Sequence, residues 1–502
     1  MRWWAALWLC WAAIGVAHAD WYEATGPNVR VFAEGQAENA RQLAERLERL
    51  DAAMRIVRSV PPGDRGAAGR LNVYILRGGI DAIERLARQD SVAGFYRASA
   101  RGSMAFVPGR AGIGRRGDLS AEIVLFHEYT HHFMFRNFDA AYPAWLAEGY
   151  AEFHSTARFE EDGSVTFGLP ANHRAWEVLS GERVTLDRLL NPESTKLPMS
   201  AIYGRGWLLT HYLHFADARK GQLGAYIRSI NAGRKGVEAA AAAFGDLKAL
   251  DRELDRYAGQ KLTGLRVPAS VIRAGAVTVR TMSAAESAAM PIHIVSTHGV
   301  TAEEARKLLP KARRAIAPHP TDAFAQGVLA EAEFDAGNVA EAGAAADRAL
   351  AADPTSRQGL IYRSMALAAQ AEARKDKSAA TLKAIRAPLF AANRRDPDDP
   401  LPMLMLYQSY AATVGAIPET ARKAIVYAQT LAPEAEELRM LAAVEQVAAG
   451  DAEAARALVA PLAFNAHGGA GKQIKALMAA IDAKDAAAAR KALAGESDAE
   501  VE

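Results

Sequence analysis

Phe126-His127-Glu128-Tyr129-Thr130-His131-His132-Phe133, followed by Trp145-Leu146-Ala147-Glu148-Gly149-Tyr150-Ala151-Glu152, is the stretch on which the reading of this chain turns. His127 and His131 stand four residues apart, so on an α-helix both imidazoles leave one face, one turn apart, and can reach a single ion. Glu128 then lies beside that ion without being a ligand, where a carboxylate serves as general base. Asp118 or Ser120 is placed to cap this helix, Glu122 falls in its first turn, and Ile123, Val124, Phe126, Phe133, Met134 and Phe135 make it apolar enough for burial. Two histidines and a glutamate on a buried helix are costly unless paired or metal-bound. The pattern therefore predicts a metal centre rather than a surface helix with incidental histidines.

A catalytic zinc takes three protein ligands and keeps one position open. Pro143 suits the first turn of a second helix, on which Trp145, Glu148 and Glu152 share a face. Glu148 is the expected third ligand, and Gly149 removes a side chain where two helices must approach closely. Glu152, one turn later, is expected to accept the second ring N–H of His127 and so fix its tautomer. The two carboxylates exchange roles in the alternative assignment. Met134 and Asn137 occupy the positions where a metzincin has its glycine and third histidine, which excludes that arrangement. Candidates for an oxyanion donor lie in residues 203–214, with Tyr203 and His211 the two choices. His132 and His154 border the motifs off the ligand face and read as structural.

Outward from the motif, Val29 to Phe32, Leu71 to Leu76 and Ser103 to Val107 read as strands, and Ala37 to Val57 as a helix with Leu43, Leu47 and Leu50 at helical spacing. Gly102 to Pro108 also fits an edge strand beside which a peptide adds. The composition changes near residue 268. Val277 to Val279 and Ile292 to Val295 read as a β linker within 269–300, and residues 301–502 are alanine-rich and helical. There, residues 312–321 align with 346–355 at an offset of 34, the period of the tetratricopeptide repeat. Gly337-Asn338 marks the turn between paired helices, and Ala342, Ala346 and Ala349 are small enough for close packing. Pro397 and Pro433 close less regular units, and Ala449-Gly450-Asp451 is a further turn. An alanine-rich bundle is the competing reading.

Residues 1–19 have a positive start at Arg2, an apolar run from Trp3 to Val16, and Ala17-His18-Ala19 before Asp20: the pattern of a cleaved signal peptide, too short for a comfortable membrane span. The expected location is periplasmic or secreted, without a stable membrane anchor after cleavage. Cys10 is the single cysteine and lies in this segment, so stability must come from core size rather than disulfides. With 60 Lys+Arg against 58 Asp+Glu and no long single-sign run, nothing points to nucleic acid as a partner.

His127-Glu128-x-x-His131 followed by Pro143-x-Trp145-Leu146-x-Glu148-Gly149-x-Ala151-Glu152 resembles the gluzincin metallopeptidases, in particular the bacterial peptidase-MA-like proteins that join such a domain to tetratricopeptide repeats. The resemblance implies an α+β chain with a zinc metallopeptidase domain over 20–268, a linker over 269–300 and helical repeats over 301–502. It implies zinc held by His127, His131 and Glu148, catalysis by Glu128, and, by analogy with members that use a tyrosine, Tyr203 as oxyanion donor ahead of His211. The spacing from His131 to Glu148 is shorter than in thermolysin-like members, and glutamate stands at position 152 where many gluzincins have aspartate. The expected function is an exported zinc peptidase acting on peptide or protein substrates, its repeats binding a protein partner. The alternative is a repeat-based scaffold with an idle metallopeptidase-like domain. Glu128 favours the enzyme, because a structural metal site has no need of a carboxylate beside an open position.

Overall fold

The computed structural model describes residues 20–35, 37–61, 66, 69–90, 92–109, 119–191, 197–412, 417–464 and 471–494. The signal-peptide segment and Asp118 lie outside the described residues. The fold is α+β. Its strands are β1 (Trp21–Thr25), β2 (Val29–Glu34), β3 (Leu71–Leu76), β4 (Phe95–Arg97), β5 (Ser103–Pro108), β6 (Arg158–Phe159), β7 (Val165–Phe167), β8 (Leu265–Val267) and β9 (Thr278–Thr281). Six form a mixed sheet in the order β4-β5-β3-β2-β1-β9, and β6, β7 and β8 form a small antiparallel one. In the large sheet β2, β3 and β5 run parallel, and the two edges are closed by antiparallel neighbours.

Alternation along each strand sends side chains to two buried faces. On one face Val29, Val31, Val73, Ala105 and Val107 pack with Leu47, Leu50 and Met54 of α1 (Ala37–Arg58). On the other, Phe32, Tyr74, Phe106 and Phe95 stack across four strands, with ring centroids 5.2, 5.3 and 4.8 Å apart. Ile83 of α2 (Ile80–Ala87) and Met290 and Ile294 of the helix Ala284–His298 cover this ladder. Two expectations are corrected here. The edge beside β5 is taken by β4, which pairs Phe95 with Phe106 and Arg97 with Met104, and β5 stays in register with β3 through Pro108. The segment read as a β linker divides: β9 joins the main sheet beyond residue 268, whereas Ile292 to Val295 is helical. Met290 and Ile294 face the sheet while Ala289 and Ile292 face the following helices, so burial on two sides produces an apolar run that resembles a strand. The helix starts at a capping box formed by Ser283 and Glu286.

The helix Ala302–Ile316 follows. Antiparallel pairs then run as Ala323–Asp335 with Val339–Ala352, Arg357–Ala373 with Ala379–Arg395, Pro400–Ala411 with Glu419–Leu431, Glu436–Ala448 with Ala452–Val459, and Lys472–Asp482 with Ala486–Leu493. Ala342, Ala346 and Ala349 are fully buried, as close helix packing requires. Four turns share one device. Gly337, Lys375, Gly450 and Lys484 all have positive φ, and the N–H of the residue after each bonds the carbonyl five residues back, at 2.8 to 2.9 Å. Pro397 and Pro433 fall between pairs. This array is fastened to the sheet region by the buried Arg136–Glu434 pair, 2.9 Å apart, and by Arg439 to Asp139, also 2.9 Å. Among the described residues no helix is long and apolar enough to cross a membrane.

Candidate metal centre

Two helices build the centre. α3 (Ala121–Asn137) is capped by Ser120, whose hydroxyl accepts from Ile123 N, and its residues Val124 to Met134 are buried. α4 (Ala144–Ser155) starts after Pro143, which fixes φ where no helical N–H is lost. The close approach expected at Gly149 is to the helix Gly206–Phe215. A Cβ at Gly149 would run into the Gly206 carbonyl and the Thr210 hydroxyl, and one at Gly206 into the Trp145 carbonyl. This paired glycine contact lets α4 sit deep enough for its carboxylates to meet the histidines of α3.

His127, His131 and Glu148 come together in a buried group that can hold a metal ion. His127 Nε2 lies 3.1 Å from His131 Nε2 and 3.1 Å from Glu148 Oε2, and His131 Nε2 lies 3.5 Å from that oxygen. Donors about 2.0–2.1 Å from a tetrahedral ion are separated by roughly 3.3 Å, so this triangle has the size a small divalent cation requires. Its composition fits too. Two imidazole nitrogens face each other beside a carboxylate, an arrangement that a shared cation can complete. Burial disfavours the charged imidazolium, but Glu148 and Glu152 outweigh it and raise His127 to about 10. Burial would likewise raise Glu148, yet the two histidines hold it far below the usual carboxylate range.

Glu152 lies one turn further along α4. Its Oε1 lies 3.3 Å from His127 Nδ1. It is itself fixed by His173 Nε2 at 2.7 Å from Oε2 and by Arg174 Nη2 at 2.7 Å and Nε at 3.1 Å from Oε1. The sequence reading missed His173 and Arg174. They sit on the short turn Asn172–Arg174, where no periodicity marks them. His131 is held differently: its ring stacks on Phe135 at 5.9 Å.

Tyr203 lies on a single π-helical turn, Ala201–Arg205, directly before the helix Gly206–Phe215. Such single turns are frequent at functional sites. The Tyr203 ring is 5.8 Å from that of His127, and the Arg174 guanidinium lies over the Tyr203 ring, 4.5 Å from its centroid. Burial, Glu148 and Glu128 all push the phenol well above its ordinary range, so it stays an O–H donor. Glu128 is buried on α3 next to His127. His211 is directed elsewhere. Its Nδ1 meets Tyr257 Oη and its Nε2 meets the Gly168 carbonyl, each at 2.8 Å, and burial lowers its basicity. His132 contacts the Tyr96 hydroxyl at 3.3 Å, and His154 meets the Tyr150 carbonyl at 2.9 Å. A cavity of about 380 Å³ is lined by Ile123, Phe126, Leu169, Pro170 and His173, the partner of Glu152, among others.

No protein-family model matches this sequence, and no curated protein matches it.

Proposed function

We propose that this chain is an exported zinc-dependent peptidase of gluzincin type, carrying tetratricopeptide-like repeats, and that peptide or protein chains are its substrates. The observation that carries the reading is the buried triangle of His127 Nε2, His131 Nε2 and Glu148 Oε2, with Glu128 on the same helix and a carboxylate on the outer nitrogen of His127. Two imidazoles and one carboxylate are a common catalytic zinc set. A bound zinc supplies Lewis acidity toward water and a substrate carbonyl.

The protein's own groups divide the remaining work. Glu152 accepts a hydrogen bond from His127 Nδ1–H, leaving the Nε2 lone pair for the metal, and His173 and Arg174 keep Glu152 in place. Glu128 takes a proton from the attacking water and returns it to the leaving amine. Tyr203, kept protonated, donates to the developing oxyanion. His211, with both ring nitrogens engaged elsewhere, has no part in the reaction.

The test is Glu128→Gln, nearly isosteric and sparing all three metal donors. The variant is expected to bind metal like the parent while hydrolysis across a peptide library is lost. Hydrolysis at the parent rate by this variant would refute the role of Glu128. A zinc-loaded parent that cleaves nothing would refute the peptidase reading itself.

A further inference from the structure

The turn joining β4 to β5 reaches out of the sheet into the helical array. Ser99 O accepts from Gly102 N at 3.0 Å, with Gly102 at φ +126°, so residues 99–102 form a tight tip. Ala100 has no exposed surface and belongs to the array's apolar cluster, together with Ala330, Ile361, Tyr362, Leu401 and Leu404. Its backbone N–H donates to Glu437 Oε1 at 2.7 Å. The Arg101 guanidinium donates to Tyr362 Oη at 3.0 Å and reaches Glu331 Oε1 at 3.4 Å. Ser103, at the base of the tip, donates to Glu434 Oε1 at 2.8 Å.

These partners share a position in the repeat. Glu331 is on the helix Ala323–Asp335, Tyr362 on Arg357–Ala373, Leu401 and Leu404 on Pro400–Ala411, and Glu437 on Glu436–Ala448. Each is the first helix of its pair, so four successive pairs present one face to a four-residue tip. The face is apolar where Ala100 sits and acidic where Arg101 sits. Asp335 lies on the same side, where burial and the neighbouring Glu331 raise it to about 7, against the pull of Arg101.

We propose that this face of the array is a recognition groove for a small residue followed by arginine in a tight turn. The β4–β5 tip is its resident occupant, and a second polypeptide displaying the same pair takes the groove only by displacing the tip. Displacement frees β4, the edge strand, and loosens Tyr96, which links Ser103 at 3.2 Å to His132 of α3 at 3.3 Å. The groove is thereby wired to the helix that carries the candidate metal ligands. The proposal is independent of whether the centre hydrolyses peptides.

The probe is a cyclised peptide with the sequence of residues 95–106, added to the full-length chain. With Ala100→Asp and Arg101→Glu the resident tip is disabled, and the peptide is expected to bind at least about tenfold more tightly than to the parent chain. Adding Glu331→Gln and Tyr362→Phe to that variant is expected to remove the gain. Equal binding to parent and tip variant, or none to either, overturns the proposal. A second measurement does not depend on the tip variant folding. Glu331→Gln with Tyr362→Phe in an otherwise unaltered chain should speed amide exchange in β4 and β5 about tenfold while β2 and β3 keep parental rates. Unchanged exchange in β4 and β5 would also overturn it.

Discussion

α3 enters two buried polar clusters little more than a turn apart, and they solve the cost of burial in opposite ways. At the seam with the helical array, Arg136 faces Glu434 with Nη1 2.9 and 3.1 Å from its two oxygens, Ser103 donates to the same carboxylate, and Leu431 O receives Arg136 Nη2 at 3.1 Å. Opposite charges are matched there and no further component is called for. At His127, His131 and Glu148 three donor atoms converge on one point, two of them nitrogens of like kind. Burying such a group is sustainable when a cation sits among the three. The seam is a lock that is complete by itself, whereas the centre is a socket.

That contrast can be broken by substitution. Glu148→Gln removes the anionic donor of the socket, and metal binding is expected to fall below detection at micromolar metal in a chelator competition. Arg136→Gln should leave metal stoichiometry at the parental value. Glu434→Gln attacks the lock instead. Disrupting one partner of a buried ion pair costs about 3–5 kcal/mol, and the loss should appear in urea unfolding without loss of the metal donors. Replacing both partners, Arg136→Met with Glu434→Leu, should recover most of that stability.

Glu152→Gln is expected to be milder than Glu148→Gln, weakening metal affinity by about 10 to 100-fold, the range for groups that orient a ligand. If it proves the more severe of the two, the carboxylates have exchanged roles. The smallest effect concerns pH. Burial opposes the charge on Glu434, but Arg136 and His132 hold its pKa below the ordinary 4.5. Its contribution to stability is therefore present above about that value and lost as pH falls through the lower, folded one. Urea midpoints measured from pH 6 down to pH 3 should decline more steeply in the parent than in the Arg136→Met, Glu434→Leu chain.

Much of the centre was legible because its spacing is helical. His127 and His131 at four residues, and Glu148 and Glu152 at four more on a helix begun by Pro143, are readable from periodicity and capping alone. Strands β2, β3 and β5 were legible from short apolar and β-branched runs. What escaped depends on contacts distant in sequence. His173 and Arg174 reach Glu152 from an irregular turn, and β9 joins β1 across more than 250 residues. Lys375 and Lys484 adopt the positive φ that glycine marks at Gly337 and Gly450, so two turns of the array carried no glycine signal. The seam was invisible too, since nothing local in the sequence ties Arg136 to Glu434, 298 residues away. One consequence is that a chain cut at residue 268 loses β9 and uncovers the ladder of Phe32, Tyr74 and Phe106. Such a fragment is not expected to stand as an independent domain.

The most direct test of the socket is zinc titration of the metal-stripped chain with elemental analysis after desalting. The account predicts one equivalent for the parent and for Glu128→Gln, and none retained by His127→Ala or His131→Ala. One equivalent retained by both histidine variants, or none taken up by the parent, would contradict it.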